Sequence, residues 1–203
     1  MKIICIGRNY AEHAKEMKAD IPSEPVFFLK PDTALIKEDQ PFYYPDFSNE
    51  IHHEVELVLK ISKAGKNIAI EFAHKYYDEI GIGIDFTARD IQAKCKEKGL
   101  PWEKAKAFDG SAPLGAFLSK KDLGNLDEID FHLNRNGNTV QKGNTADLLF
   151  SFDAVIAYVS KFFTLKTGDL IYTGTPQGVG AVQIGDKLEA YIGNKKLLHT
   201  EIK

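Results

Sequence analysis

Short runs of alternating apolar and polar residues dominate the chain, and they predict more strands than helices. The Asn136-Gly137 dipeptide predicts a tight hairpin turn, and Gly193-Asn194 predicts a second hairpin. The predicted strands are Ile3–Ile6, Val26–Leu29, Glu54–Ile61, Glu79–Phe86, Leu114–Phe117, Ile129–Asn134, Asp169–Tyr172, Lys187–Ile192 and Leu197–Ile202.

Helical spacing of apolar residues is confined to three segments, Asn9–Met17, Thr87–Lys98 and Ser151–Phe163. Gly99, directly after the second segment, is a typical helix C-cap. Because strands outnumber helices and do not alternate regularly with them, the pattern favours an α+β fold with a mixed sheet over a doubly wound parallel sheet. No repeat or linker divides the 203 residues, so we expect one domain over residues 1–203.

Two glutamates interrupt the most apolar of the predicted strands. Glu54 and Glu56 are two residues apart, and side chains at that spacing point to the same face of a strand. Like charges so close repel each other, and burial increases the repulsion. A metal ion, an arginine or lysine, or a shared proton would neutralise the pair. A solvated strand face, the commoner setting for an isolated Glu-x-Glu, would need no partner.

A third carboxylate lies near the end of the next predicted strand, Glu79–Phe86. Asp85 follows Gly81-Ile82-Gly83-Ile84, and alternation puts it on the same face as the two glycines, which leave room for another chain segment or a ligand. The competing interpretation is that Asp85 caps the helix that opens at Thr87.

A histidine and a glutamate are candidates for acid–base chemistry. His13 and Glu16 are three residues apart on a predicted helix and therefore neighbours on one face. A carboxylate beside an imidazole orients the ring and raises its basicity, as a general base requires. The alternative is an ordinary surface pair.

Two further segments carry groups suited to an anionic ligand. Lys106 lies among small and aromatic residues, where a partly buried lysine can stabilise an oxyanion; a surface lysine is the alternative. The glycine-rich segment Thr173–Gly180 lacks the Gly-Lys-Ser/Thr ending of a phosphate-binding loop. Its backbone N–H groups and hydroxyls are suited to a carboxylate, and a plain turn is the alternative.

Composition narrows the function classes. The net charge is -3 and the basic residues are scattered among acids, so we expect no nucleic-acid partner. No apolar run is long enough to cross a membrane, so no membrane partner is expected. The two cysteines, Cys5 and Cys95, form no disulfide framework, which predicts a cytoplasmic protein.

Taken in order, these motifs resemble the fumarylacetoacetate hydrolase superfamily, and in particular its short, single-domain acylpyruvases and oxaloacetate decarboxylases. The resemblance implies a mixed, rolled β-sheet domain of the fumarylacetoacetate hydrolase C-terminal type, with few helices, in a homodimer. The matching segments are Gly7–Tyr10 with His13 and Glu16, Phe28–Pro31, His53–Leu57, Asp85–Gln92, Lys98–Trp102 and Gly174–Gly180.

The resemblance also implies a metal site and a base. Glu54, Glu56 and Asp85 match the ligands of a Mg²⁺ or Mn²⁺ ion. Three carboxylates without a cysteine or histidine cluster are consistent with this role, since hard cations prefer oxygen ligands. His13 and Glu16 match a dyad on a mobile lid helix that activates water. The lid implied here continues through residues 18–23.

The remaining candidates match residues that contact the substrate. Lys106 matches a lysine that stabilises the oxyanion, and Gln92 and Thr175 match substrate-positioning residues. Arg8 and Lys30 lie in matching motifs and are assigned to substrate binding as well.

The resemblance predicts a metal-dependent hydrolase that cleaves the C–C bond of acylpyruvates, releasing pyruvate as its enolate, with oxaloacetate decarboxylation as a further reaction. The substrate is a small 2-oxo acid. Two enzymatic alternatives are 2-hydroxyhepta-2,4-diene-1,7-dioate isomerase/decarboxylase and keto-sugar-acid dehydratase. The non-enzymatic alternative is a metabolite-binding protein. Asp109 departs from the small neutral residue often found in relatives, and we expect this acid to change the charge environment of Lys106.

Overall fold

The computed structural model describes residues 1–17, 20–36 and 40–203, and strands predominate in it. Its α-helices are α1 Ala11–Glu16, α2 Ile70–Ala73, α3 Arg89–Lys98, α4 Glu103–Lys106 and α5 Phe152–Val159. Its strands are β1 Ile3–Gly7, β2 Val26–Lys30, β3 Leu35–Ile36, β4 Ile51–His53, β5 Val55–Ile61, β6 Tyr77–Ile84, β7 Thr87–Ala88, β8 Ala112–Ser119, β9 Asp130–Arg135, β10 Asn138–Asn144, β11 Leu170–Tyr172, β12 Gly180–Ala181, β13 Lys187–Ile192 and β14 Lys195–Glu201.

Three sheets make up the domain. The largest has seven strands in the order β2-β1-β11-β5-β6-β8-β3, a second has the order β10-β9-β13-β14, and a third has the order β12-β4-β7. The pairs β1–β11 and β3–β8 are parallel and the other pairs are antiparallel. The fold is therefore the mixed, curled sheet with few helices that the sequence predicts.

Each predicted strand overlaps an observed one, and the main difference falls at Glu54. The predicted strand Glu54–Ile61 corresponds to β5. Glu54 itself links β5 to the preceding strand, β4, which belongs to a different sheet. Ile51 in β4 pairs with Ala88, whereas Val55 in β5 pairs with Ile84.

The predicted helices are shorter in the structure. The first two residues of the predicted helix Thr87–Lys98 form β7 instead, since Thr87 pairs with His52, and α3 begins at Arg89. Gly99 ends α3 with φ 62°, the left-handed C-cap expected there. The two-, three- and four-residue elements β3, β4, β7, β12, α2 and α4 were not predicted, because so few residues establish no periodicity.

Both predicted hairpins are confirmed. Asn136 and Gly137 have φ 53° and 81° and join β9 to β10, as a turn with two left-handed residues requires. Gly193 has φ 55° and joins β13 to β14, where Ile192 pairs with Lys195.

Two glycines in β6 allow neighbouring side chains to approach the sheet. A Cβ atom at Gly83 would lie 2.6 Å from the ring of Tyr172, and one at Gly81 would lie 2.9 Å from the ring of Phe117. The space predicted beside Asp85 is thus filled by side chains of the same domain, and glycine is required because any larger residue would displace an aromatic ring.

The seven-stranded sheet is apolar on both faces. In β1, Ile4 and Ile6 belong to the main core, whereas Ile3 and Cys5 belong to a smaller cluster on the opposite face. An open cavity of about 500 Å³ lies beside the smaller cluster. Its lining is mostly apolar: Met1, Leu35, Lys60, Leu114, Gly115, Ala116, Phe117, Gly168, Leu170 and Leu197.

None of the helices in the described ranges has both the length and the apolar character needed to cross a bilayer. Cys5 and Cys95 are both buried and unpaired. The cytoplasmic location that their scarcity suggests stays a prediction.

The homodimer is a proposal, and the apolar outer face is its candidate interface. A second copy of the chain would bury this face, and closed two-fold dimers are the commonest way for a protein to do so. Light scattering should give about twice the mass of the chain. Leu114→Lys should shift the mass towards a single chain, while the matched change at exposed Ile184, Ile184→Lys, should not. An unchanged mass for the Leu114 variant would contradict this interface.

Candidate active site

The pairing of β5 with β6 brings three carboxylates together. Glu56 pairs with Gly83, and the backbone N–H of Asp85 donates to the carbonyl oxygen of Glu54 at 2.8 Å. One carboxylate oxygen from each of the three acids lies within 4.8 Å of the others, and all three side chains are buried. The solvated strand face considered for Glu54 and Glu56 is therefore wrong.

Basic side chains neutralise two of the three acids. Glu54 accepts hydrogen bonds from Arg89 Nη2 at 2.5 Å and from Lys106 Nζ at 2.7 Å. Asp85 accepts one from Lys106 Nζ at 2.8 Å, and its other oxygen lies 2.8 Å from Lys30 Nζ. Of the three ways to relieve the repulsion, the structure thus contains ion pairing, although it does not extend to every acid.

Glu56 is the acid without a cation. Among the residues that the structure describes, its only hydrogen bond comes from the backbone N–H of Gly174, at 2.7 Å. Burial and the neighbouring charges of Asp85 and Glu54 raise the pKa of Glu56 well above its usual range. A proton or an additional cation is needed here for the cluster to be stable.

Ion pairing shifts the pKa values of Glu54 and Lys106 in opposite directions. Burial alone would raise the pKa of Glu54, but the charges of Lys106 and Arg89 hold it well below its usual range. Burial opposes the charged form of Lys106, yet the Asp85 and Glu54 carboxylates raise its pKa. Lys106 is therefore a buried, charged counter-ion, not a surface lysine.

Asp85 does not cap the helix that follows it. The N-cap of α3 is Ala88, which makes no side-chain capping bond, and both Asp85 oxygens are directed at lysines. The capping interpretation is wrong because the buried carboxylate of Asp85 is paired with Lys30 and Lys106 instead.

The donor set fits a hard divalent cation. Three buried carboxylates converge, and Glu56 lacks the cation that its neighbours have. Oxygen-only ligands are what Mg²⁺ and Mn²⁺ prefer, and a divalent charge would offset the acid that the lysines leave unpaired. Glu54, Glu56 and Asp85 are the residues that would hold such an ion.

The candidate base, His13, lines a small cavity together with the three acids. His13 is buried, and its Nδ1 lies 3.1 Å from Glu16 Oε2. The other oxygen of Glu16 accepts a hydrogen bond from the backbone N–H of Gly178 at 3.1 Å. A carboxylate only accepts, so Nδ1 carries a hydrogen, and in the neutral imidazole the lone pair is on Nε2.

The glycine-rich segment is more than a plain turn. Its backbone N–H groups do reach carboxylates, those of Glu56 through Gly174 and of Glu16 through Gly178. Gly174 has φ 101°, and a Cβ there would lie 2.7 Å from Cβ of Asn9. The segment thus connects the acid cluster to the base.

Four of the predicted ligand-contacting residues line the cavity beside the acids: Arg8, Gln92, Lys106 and Thr175. Arg8 has φ 59°, a left-handed conformation uncommon for arginine and often found at functional sites. Lys30 is not among the lining residues. Its ammonium is buried against Asp85 and Ser111, which makes it an internal counter-ion.

Two other expectations concern neighbouring residues. Asp109 is exposed, and Lys106 pairs with Glu54 and Asp85 instead, so no direct effect of Asp109 on Lys106 is found.

Of the implied lid, Lys18 and Ala19 lie outside the described residues. Its mobility stays a prediction.

Sequence reasoning missed three residues of the site. Arg89 binds Glu54 and donates to Gln92 Oε1 at 2.8 Å, and Lys96 also lines the cavity. Arg89 lies three residues before Gln92 and Lys96 four residues after it, so all three share one helix face. This spacing was a usable sequence signal for Arg89 and Lys96. Gln141, which bonds Thr175 from β10, offered no local signal at all.

Glu56→Gln tests the metal site. The variant keeps the side-chain shape but removes the unpaired charge, so without divalent ions it should be more stable than the wild type. It should also lose the stabilisation that saturating Mn²⁺ gives the wild type, about 2.7 kcal/mol at one hundred times Kd. Thermal unfolding with chelator and with Mn²⁺ measures both effects.

Glu97→Gln, on the exposed side of α3, is the matched control and should respond to Mn²⁺ as the wild type does. A Glu56 variant that gains as much from Mn²⁺ as the wild type would contradict the assignment.

Comparison with known proteins identifies the family. The family model described as "Fumarylacetoacetate (FAA) hydrolase C-terminal" matches residues 2–202. The mitochondrial oxaloacetate tautomerase FAHD1 of Mus musculus is 43% identical over 201 residues, 99% of this chain and 91% of that protein. The oxaloacetate tautomerase YcgM of Escherichia coli is 46% identical over 188 residues, 92% of this chain and 86% of that protein.

A solved structure supports the same conclusion. Fumarylpyruvate hydrolase from Pseudomonas aeruginosa, in complex with Mn²⁺ and pyruvate, superposes with a TM-score of 0.93 at 37% identity, covering 100% of this chain and 89% of that one. The chain therefore belongs to the fumarylacetoacetate hydrolase family.

Proposed function

We propose that this protein is a divalent-cation-dependent enzyme that transfers a proton on a small 2-oxo acid, with keto–enol tautomerisation of oxaloacetate as its first candidate reaction. One observation carries the proposal: a histidine whose Nε2 has no hydrogen-bond partner among the described residues lies in the same cavity as the three converging carboxylates. Binding alone would not require a base oriented in this way. Tautomerisation was not among the reactions expected from the sequence; the two relatives that bear that name favour it.

The base has a defined task in this reaction. A bound divalent ion would supply Lewis-acid chemistry, polarising the 2-oxo group and making the C3 hydrogens more acidic. His13 Nε2 takes a proton from C3, the electron pair of the broken C–H bond forms the C2–C3 double bond, and the π pair of the carbonyl moves to the C2 oxygen. Protonation of that oxygen gives the enol, so the reaction needs no other reactant. Glu16 holds the imidazole in the productive tautomer and stabilises its charged form.

Other side chains of the cavity would stabilise and orient the substrate. Lys106 carries its charge beside Glu54 and Asp85 and would stabilise the negative charge that develops on the C2 oxygen. Gln92, held by Arg89, and Thr175 offer polar groups for the carboxylate and 2-oxo end.

Hydrolysis of acylpyruvates is the second candidate, and the likeness to the Pseudomonas fumarylpyruvate hydrolase favours it. Here His13 takes the proton from water, whose oxygen bonds to the distal carbonyl carbon. The C–C bond then breaks and its electron pair leaves as the enolate of pyruvate, which is protonated at carbon. Decarboxylation of oxaloacetate forms the same enolate by loss of CO₂ and needs no water.

His13→Ala should lower the tautomerisation and hydrolysis rates by about 10²–10⁴-fold, the usual contribution of a positioned base. Decarboxylation should fall much less, because it requires neither a C–H proton to be removed nor water to be activated. Initial rates with oxaloacetate and acetylpyruvate measure all three reactions. His74→Ala, at an exposed histidine, is the control and should change none of them. Equal losses in all three reactions would show that His13 serves binding or closure instead.

Two cations of the cavity are free to bind a second carboxylate. Lys30, Arg89 and Lys106 pair with acids of the cluster. Arg8 and Lys96 line the same cavity, and neither has an ion-pair partner in the described part of the chain. Oxaloacetate carries a second carboxylate, whereas acetylpyruvate does not.

Lys96→Met should therefore raise the KM for oxaloacetate about tenfold, the effect of losing one charge-assisted hydrogen bond, and change the KM for acetylpyruvate much less. Lys94→Met, two residues away on the exposed side of α3, is the matched control. A Lys96 variant that loses equally with both substrates would contradict a role for Lys96 in recognising the second carboxylate.

A further inference from the structure

A buried glutamine connects three separate parts of the site. Gln141 lies on β10 and is 2% exposed. Its Oε1 lies 3.0 Å from the backbone nitrogen of Val55 and 2.9 Å from His53 Nδ1. Its Nε2 lies 2.9 Å from Thr175 Oγ1 and 3.0 Å from the carbonyl oxygen of Pro176.

Two of these neighbours fix which way the amide points. The backbone nitrogen of Val55 can only donate, so it must face Oε1. The carbonyl oxygen of Pro176 can only accept, so it must face Nε2. Rotating the amide by half a turn would break both bonds at once and place like groups against each other in a buried site. His53 consequently carries its hydrogen on Nδ1.

The fixed amide sets the polarity of the Thr175 hydroxyl. Because Gln141 Nε2 donates to Thr175 Oγ1, the hydroxyl oxygen already accepts, and its own hydrogen must be donated elsewhere. No acceptor for that hydrogen is found within residues 1–17, 20–36 and 40–203, and Thr175 lines the cavity of the three acids. The hydrogen is thus available to an acceptor in the cavity.

The ends of the loop are held independently of Gln141. Asn9 Nδ2 donates to the carbonyl oxygen of Thr173 at 2.9 Å, and Gly174 N–H donates to Glu56. At the other end, Gly178 N–H donates to Glu16. Removing the Gln141 amide would therefore release the middle of the loop, at Thr175, and leave the contacts to the acid cluster and the base in place.

We propose that Gln141 is a positioning residue that makes the Thr175 hydroxyl an obligate hydrogen-bond donor to a carboxylate oxygen of the substrate. This inference rests on the proposed function for the identity of the ligand, a 2-oxo acid. Gln141 acts through Thr175 and makes no contact with the substrate itself.

Gln141→Met is the first test, since methionine keeps the length of the side chain and removes both polar groups. The KM for oxaloacetate should rise about tenfold or more, while kcat changes less than about threefold, because the lost bond serves substrate binding. The affinity for Mn²⁺ should stay as in the wild type, which a general collapse of the site would not allow. Gln183→Met, the same change at an exposed glutamine, is the control.

A double-mutant cycle with Thr175→Val separates positioning from packing. If Gln141 acts through Thr175, adding Gln141→Met to Thr175→Val should raise the KM by less than about twofold, whereas additive losses would overturn the proposal. Thr175→Ser, which keeps the hydroxyl, should retain the effect of Gln141→Met. A fall in Mn²⁺ affinity or in kcat that matches the rise in KM would also overturn it.

Two further measurements keep the test decisive. If the methionine variant does not fold, neutron diffraction from the deuterated wild type should locate the Thr175 hydroxyl deuterium directed into the cavity; a deuterium directed at Gln141 or Pro176 would overturn the proposal. If the wild type turns over neither oxaloacetate nor acetylpyruvate, the proposed function fails. Calorimetric binding of pyruvate to the wild type and to Gln141→Met then tests the positioning role alone, with equal affinities overturning it.

Discussion

The repulsion among three buried carboxylates is the constraint on which the site depends. Glu54, Glu56 and Asp85 converge because β5 and β6 are neighbours and because the chain passes from one sheet to another at Glu54. Buried basic residues offset part of the charge, among them Lys106, which bridges Glu54 and Asp85. Buried charges persist only when paired, and Glu56 alone lacks a cation among the described residues. The electrostatics thus favour a divalent cation at Glu56.

The glycine-rich loop couples that cluster to the rest of the cavity. Gly174 donates to Glu56, Gly178 donates to Glu16, and Thr175 lies between them, tied to Gln141. The ends of the loop therefore contact the acids and the base, and its middle presents the Thr175 hydroxyl to the cavity between them. This coupling explains why a loop without a recognised phosphate-binding motif lies at the centre of the site.

Much of the fold could be predicted because it depends on local patterns. The alternation over residues 54–61 predicted β5 and the convergence of Glu54 with Glu56, and Asn136-Gly137 predicted a hairpin. The position of Gln141 could not be predicted, since a long-range contact between β10 and the glycine-rich loop places it beside Thr175. For the same reason the change of sheet between β4 and β5, at Glu54, became visible only in the register of the sheets. Family resemblance supplied the roles of the site residues, which periodicity alone does not contain.

The central claim is that the three carboxylates hold a divalent ion at which the 2-oxo acid binds. Electron paramagnetic resonance of the Mn²⁺-loaded protein tests it most directly, with oxalate as a stable analogue of the substrate. We predict one tightly bound Mn²⁺ per chain, with signals that broaden when ¹⁶O oxalate is replaced by ¹⁷O oxalate, and loss of that bound ion in Glu56→Gln. Signals that are identical with the two isotopes, or tight Mn²⁺ binding that survives the substitution, would contradict the account.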